Sequence, residues 1–120
     1  TTSTVFLDKN LTRNICINLL SNAIKYSNEG TRITFHTRIE NEILEIKITD
    51  HGIGIPEVEQ QYIFERFFRA NNASNIQGTG LGLNIVKKYV ELMQGEVIFE
   101  SKPDTGTTFT ITLPLQVAVM

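Results

Sequence analysis

The apolar residues of this chain change period along its length, and few folds satisfy the resulting order. From Leu11 to Tyr26 the pattern is helical, with Cys16, Leu19, Leu20, Ala23 and Ile24 on one face. Asp8 is placed to cap this helix at its start. Asn14, Asn18, Asn22 and Lys25 fall on the opposite face, within about 80° of arc at ~100° per residue. Two alternating runs follow. In Thr31 to Ile39, Ile33, Phe35 and Ile39 alternate with Thr34, His36 and Arg38; in Glu42 to Asp50, Leu44, Ile46 and Ile48 alternate with Glu45, Lys47 and Thr49. Asn41 between them marks a hairpin. Pro56 opens a short helix carrying Val58, Tyr62 and Ile63. A second long helix runs to Gln94, with Leu81, Ile85, Tyr89 and Leu92 at helical spacing and Gly95 as its stop. Two closing strands, Glu96 to Ser101 and Thr107 to Leu113, flank the turn Pro103-Asp104-Thr105-Gly106. Val5-Phe6-Leu7 reads as a short edge strand. The order is that of an α+β domain, a two-layer sandwich of one sheet with helices packed on one face.

Size and charge narrow the classes further. At 120 residues the chain is a single domain over 1–120, able to bury about two-thirds of its unfolded surface. A net charge of −2 argues against nonspecific nucleic-acid binding. The lone Cys16 excludes an intrachain disulfide and a cysteine metal cluster. No apolar run approaches the ~18 residues of a membrane span. The opening Thr1-Thr2-Ser3-Thr4 has no Met, so the chain is expected to be a piece of a longer protein.

Three places carry possible chemistry. Asn18 and Asn22 stand one helical turn apart, with Lys25 three residues on. Amide oxygens are hard ligands that suit Mg²⁺, and Lys suits phosphate, although a solvated polar face has the same composition. Period two puts Asp50 in the row of Leu44, Ile46 and Ile48, on the core side of its strand, just before Gly52 and Gly54. A carboxylate there is costly unless a donor meets it, and glycines let a planar ligand approach the backbone. The same alternation puts Thr107 in the row of Phe109, Ile111 and Leu113. An Asp that merely ends a strand and caps a turn remains the other reading. Third, Gly78-Thr79-Gly80-Leu81-Gly82 precedes a helix, where freed N–H groups and the helix dipole favour an anion. From Ala70 to Gln77 the chain is small, polar and without period, and reads as a mobile loop. His36 lies on a polar strand face, and Phe64, Phe67 and Phe68 read as a packing plug.

In this order the pieces resemble the ATP-binding catalytic domain of sensor histidine kinases, in the superfamily shared with gyrase, heat-shock chaperone and mismatch-repair ATPases. Asn18-Leu19-Leu20-Ser21-Asn22-Ala23-Ile24-Lys25-Tyr26-Ser27 is similar to the N box, and Asp50-His51-Gly52-Ile53-Gly54 to the first glycine box. Phe64-Glu65-Arg66-Phe67-Phe68-Arg69 resembles the F box, Gly78-Thr79-Gly80-Leu81-Gly82-Leu83 the second glycine box, and Gly106-Thr107-Thr108-Phe109 the closing strand motif. The resemblance covers Asp8 to Pro114.

It implies a Bergerat-type fold with a mixed, mostly antiparallel sheet. It also implies roles. Asp50 would accept from the adenine amino group, with Thr107 nearby and Gly52 and Gly54 lining the base. Asn22 with Asn18 would hold Mg²⁺. Lys25 and Arg69 would neutralise phosphate charge, and Tyr26 would lie beside the nucleotide. Gly78, Thr79, Gly80, Leu81 and Gly82 would cover the triphosphate, with residues 70–79 as a mobile lid. The implied activity is transfer of the terminal phosphoryl group of ATP to a histidine on a dimerisation domain outside this chain. A response regulator would follow, and the piece would be cytoplasmic even where its parent is membrane-anchored. An ATP-gated ATPase or an anti-sigma-type serine kinase of the same superfamily is the alternative. ATPase members carry a glutamate where this chain has Asn18, and an amide cannot act as a base.

Overall fold

A computed structural model describes residues 5–65, 68 and 82–117. Its elements are β1 (Val5–Phe6), α1 (Lys9–Tyr26), β2 (Thr34–Glu40), β3 (Ile43–Asp50), a 3₁₀ helix (Glu57–Tyr62), α2 (Gly82–Leu92), β4 (Glu96–Lys102), β5 (Gly106–Pro114) and β6 (Gln116–Val117). The main sheet has the order β2-β3-β5-β4, and every pairing in it is antiparallel. β1 and β6 form a separate two-stranded ladder. The α+β sandwich is therefore present, with the early edge strand paired outside the main sheet.

The β2–β3 hairpin turns at Asn41 and Glu42, both at positive φ (53° and 63°), the conformation a tight two-residue hairpin requires. β2 begins at Thr34 rather than Thr31 and has no buried residue. Its apolar row lies level with that of β3, yet Phe35 is 45% and Ile39 60% exposed. The helix layer lies over β3 and the strands beyond it, so an edge strand with the right alternation gains no core.

The core joins α1 and α2 to β3 and β5 through Ile15, Leu19, Ala23, Val86, Val90, Ile46, Ile48, Phe109, Ile111 and Leu113. In α1 the buried row is Ile15, Leu19 and Ala23, while Ile24 is 68% exposed. The expected face is thus rotated, because α1 rests on the sheet and on α2 together. α2 shows the same correction: Val86 and Val90 are its buried residues, and Leu92 is exposed. The segment opened by Pro56 is 3₁₀, not α; Val58 and Tyr62 are exposed and only Ile63 enters the core.

Two termini explain local boundaries. The Asp8 carboxylate accepts from the Leu11 N–H at 2.9 Å, as expected of the N-cap. At the end of α2, the Gly95 N–H reaches Val90 O and the Gln94 N–H reaches Glu91 O, a Schellman closure whose left-handed residue is Gln94 (φ 60°). Gly95 has a different task. A Cβ on it would overlap the Thr112 carbonyl of β5.

Candidate functional site

Asp50 ends β3 on the buried side, 9% exposed, and its registered partner across β5 is Thr107, 7% exposed. Both sequence expectations of core-side placement hold. Burial pushes the Asp50 carboxyl above its usual range. N–H groups of Gly52 and Thr107 and the nearby His51 oppose that rise, the Gly52 N–H donating to Oδ1 at 2.9 Å. The carboxylate is thus buried and held in one orientation.

The glycines that follow are dictated by close approach. A Cβ on Gly52 would overlap the Tyr26 carbonyl, which itself accepts from the Ile53 N–H at 3.1 Å. Gly54 (φ 67°) lies against the Lys102 carbonyl, and the Ile53 carbonyl accepts from the Asp104 N–H at 2.8 Å. The loop after β3 is therefore clamped between the end of α1 and the β4–β5 turn.

Ser101 and Gln60 were not among the expected site residues. The Ser101 hydroxyl accepts from the Ile55 N–H at 2.8 Å, lies 3.2 Å from Gly106 O and pairs with Thr107 Oγ1 at 2.8 Å. Gln60 ties the carbonyls of Ile55 and Ser101, each at 3.1 Å. A signal for Ser101 existed: alternation places it in the row of Val97 and Phe99, a polar group ending an inward row as Asp50 does. Nothing in the pattern pointed to Gln60.

The asparagine seam does not lie opposite the core. It flanks the core on the side of α2: Asn18 and Asn22 are half-buried, while Asn14 and Lys25 are exposed. Asn18 Nδ2 donates to Asn14 O at 2.8 Å, which fixes the amide. At the first residue of α2, the point where a Gly82 Cβ would stand lies 3.3 Å from Asn18 Oδ1 and 3.7 Å from Asn22 Oδ1. Two hard oxygens thus converge on a helix N-terminus, and glycine there leaves the space between them open. No cluster of His, Cys, Asp or Glu among the described residues is built to hold a metal. The amide oxygens fit a hard cation such as Mg²⁺.

Tyr26 is half-buried at the end of α1, beside Gly52. Phe64 packs edge-on against Phe99 (5.9 Å) and Phe109 (6.4 Å), the plug the sequence implied, and its carbonyl accepts from Asn84 at 3.0 Å. Arg66, Phe67, Arg69, the lid at 70–79, Gly78, Thr79, Gly80 and Leu81 lie outside the described residues. No helix among the described residues is long and apolar enough to cross a membrane.

Comparison with known proteins agrees with this geometry. Residues 7–117 match the family model described as histidine kinase-, DNA gyrase B- and HSP90-like ATPase. The sensor-like histidine kinase SenX3 of Mycolicibacterium smegmatis is 43% identical over 109 residues, covering 89% of this chain and 28% of SenX3. The chain spans well under a third of the length of the curated relatives it matches. Among solved structures, the mycobacterial sensor histidine kinase MprB superposes with a TM-score of 0.84 at 35% identity, over 97% of this chain and 80% of that one. Full-length ShkA in complex with AMPPNP gives a TM-score of 0.81 at 25% identity, over 99% of this chain and 24% of that one. A sheet ending in a buried, oriented aspartate, an asparagine pair at a helix N-terminus and these likenesses converge: the chain belongs to the histidine kinase-, DNA gyrase B- and HSP90-like ATPase family, as an ATP-binding catalytic domain of the sensor histidine kinase type.

Proposed function

We propose that this domain binds Mg-ATP and presents its terminal phosphoryl group to a histidine on a dimerisation domain of the parent kinase, from which a response regulator receives it. The observation that carries the reading is the convergence of the Asn18 and Asn22 amide oxygens at the start of α2, in a fold that also buries and orients Asp50.

Asp50 accepts from the adenine amino group, and the glycine-clamped loop lets the base lie against the backbone. Thr107 and Ser101 hold the end of the sheet in shape around it. Asn18 and Asn22 would hold Mg²⁺ through their amide oxygens, with Lys25 and Arg69 lowering the charge on the phosphates and Tyr26 beside the nucleotide. The resemblance adds backbone N–H groups from Gly78 to Gly82 for the triphosphate and a lid at 70–79, residues that lie outside the described ones except for Gly82. Magnesium, when bound, draws charge from the transferred group. In the transfer itself a histidine nitrogen outside the chain bonds to the terminal phosphorus while its bond to the bridging oxygen breaks, releasing ADP. The domain supplies position and charge, and the nucleophile comes from elsewhere.

Asn18 separates this reading from an ATPase. Its amide nitrogen is committed to Asn14 O, and its oxygen has no basicity with which to activate water. Incubating the chain with terminally radiolabelled ATP and Mg²⁺ tests the proposal. The expected result is saturable binding, very slow phosphate release and no acid-labile label on His36 or His51. Adding the parent's histidine-bearing segment should produce labelled histidine on that segment. Rapid multiple-turnover release by the chain alone would instead place it among the ATPases.

A further inference from the structure

Thr107 has two register partners at the end of the sheet, Asp50 on β3 and Ser101 on β4. It stands between a carboxylate on one side and a hydroxyl on the other. Directly opposed residues on one face of a sheet have Cβ atoms about 4.5–5.5 Å apart, so all three side chains share one corner of the fold. The Asp50 carboxylate accepts from the Thr107 N–H as well as from that of Gly52. Asp50 and Thr107 both keep some accessible surface, 9% and 7%.

The contacts of the Ser101 hydroxyl decide where its proton goes. A hydroxyl has one proton to give and two lone pairs with which to receive. The Ile55 N–H, at 2.8 Å, can only donate, and Gly106 O, at 3.2 Å, can only accept. The Thr107 hydroxyl, at 2.8 Å, can do either. One assignment makes all three contacts hydrogen bonds: Ser101 donates to Gly106 O and accepts from Ile55 and from Thr107. The reverse direction, Ser101 to Thr107, leaves Ser101 Oγ and Gly106 O facing each other at 3.2 Å with no proton between them. Gln60 braces the arrangement. Its amide donates to Ile55 O and Ser101 O, each at 3.1 Å, tying the loop that carries the Ile55 donor to the strand that carries Ser101.

A threonine whose proton is spent on Ser101 has only acceptor capacity left, and an ionised carboxylate is acceptor-only as well. Adenine carries an amino group with two N–H donors, whereas guanine has an acceptor oxygen at that place. We infer that Ser101 is a positioning residue for base selection: it takes the Thr107 proton, so that Thr107 and Asp50 both present acceptors, which suit an exocyclic amino group and turn away an oxygen. This rests on the ATP-binding reading above and adds to it the residue that sets the polarity of the base end. Without Ser101 the Thr107 proton is free to turn toward Asp50, where it occupies an acceptor, or toward an oxygen of the wrong base.

Titration calorimetry on the chain tests the assignment, with Mg-ATP, the magnesium complex of inosine triphosphate (an oxygen in place of the amino group) and inorganic triphosphate. The wild type should prefer ATP to inosine triphosphate. Ser101→Ala should narrow that preference roughly 2- to 12-fold, the worth of one net hydrogen bond, and bind inorganic triphosphate as the wild type does. Ser101→Thr keeps the hydroxyl and should keep the preference. In a Thr107→Val background, Ser101→Ala should leave the preference where Thr107→Val alone puts it, because no proton remains to be directed. An unchanged preference in Ser101→Ala overturns the inference. So does an equal loss for all three ligands, a further narrowing in the Thr107→Val background, or a Ser101→Thr that behaves as Ser101→Ala. Should Ser101→Ala fail to fold, proton NMR of the ligand-free wild type decides. The Thr107 hydroxyl proton should exchange slowly with water and show through-space contacts to the Ser101 β protons; free exchange overturns the assignment. A wild type that binds no ATP overturns the functional reading as well, whereas a wild type that prefers ATP beside an equally selective Ser101→Ala removes Ser101 alone.

Discussion

Gly82 and Asn18 meet so closely that a single added methyl would stand 3.3 Å from the asparagine's amide oxygen. That spacing is tight but yields to a small shift of the Asn18 side chain. Gly82→Ala should therefore fold. Better helix propensity gives it up to about 1 kcal/mol of stability. Mg-ATP binding should weaken by about tenfold, since the methyl fills the space between the two amide oxygens. Thermal melts and calorimetric titration run in parallel check this: stability and affinity are expected to move in opposite directions.

Asp50 gives a pH signature. Burial raises its carboxyl, so the folded chain keeps the proton to a higher pH than the unfolded chain. Its contribution to stability is then least unfavourable below the ordinary aspartate range, and worsens as pH rises through the raised value. Asp50→Asn removes that dependence. The ligand-free variant should gain stability relative to wild type near neutrality, the gain disappearing in acid, as urea titrations across pH would show. ATP affinity should move the other way. It should drop roughly 10- to 150-fold in the variant, and in the wild type it should fall as pH decreases through the raised carboxyl value.

Gly54 is required by the backbone packed around it. With φ at 67° and the Lys102 carbonyl where a Cβ would stand, Gly54→Ala combines a left-handed backbone with a backbone clash. We expect a loss of at least about 2 kcal/mol, read as a lowered urea midpoint with an unchanged slope.

Much of the site was legible because it sits at the ends of strongly periodic segments. Period two alone placed Asp50 and Thr107 on the core side, where they form one registered pair. The asparagines were legible as a seam but not in their setting. Helical phase was referred to an apolar face of Cys16, Leu19, Leu20, Ala23 and Ile24, whereas the buried row runs through Ile15, Leu19 and Ala23. Apolar content in a helix shows which residues can be buried, and only the partner elements decide which are. Phe35 and Ile39 make the same point on β2, where correct alternation met no covering helix. Gln60 left no pattern, because a single side chain reaching a distant carbonyl has no period.

The Schellman closure of α2 offers a test of stability that leaves the site alone. Gln94 holds φ at 60°, a conformation that costs an L-residue roughly 1 kcal/mol and glycine little. Gln94→Gly should raise the melting temperature by about 4 °C, with ATP affinity unchanged. A melting temperature equal to or below that of the wild type would show that the glutamine side chain contributes more than its backbone strain costs.

The pairing of β3 with β5 has a consequence for how the protein is made. The strand ending in Asp50 waits for a partner that begins at Gly106, more than fifty positions later, and Thr107, Ser101 and the turn that clamps Gly54 arrive with it. Contacts of such separation form late, after the loop between them has closed. A ribosome will have released nearly the whole domain before the proposed base pocket has its second wall. Incomplete nascent chains therefore cannot engage nucleotide through it, and occupancy of the pocket reports that synthesis has passed the last strand of the main sheet.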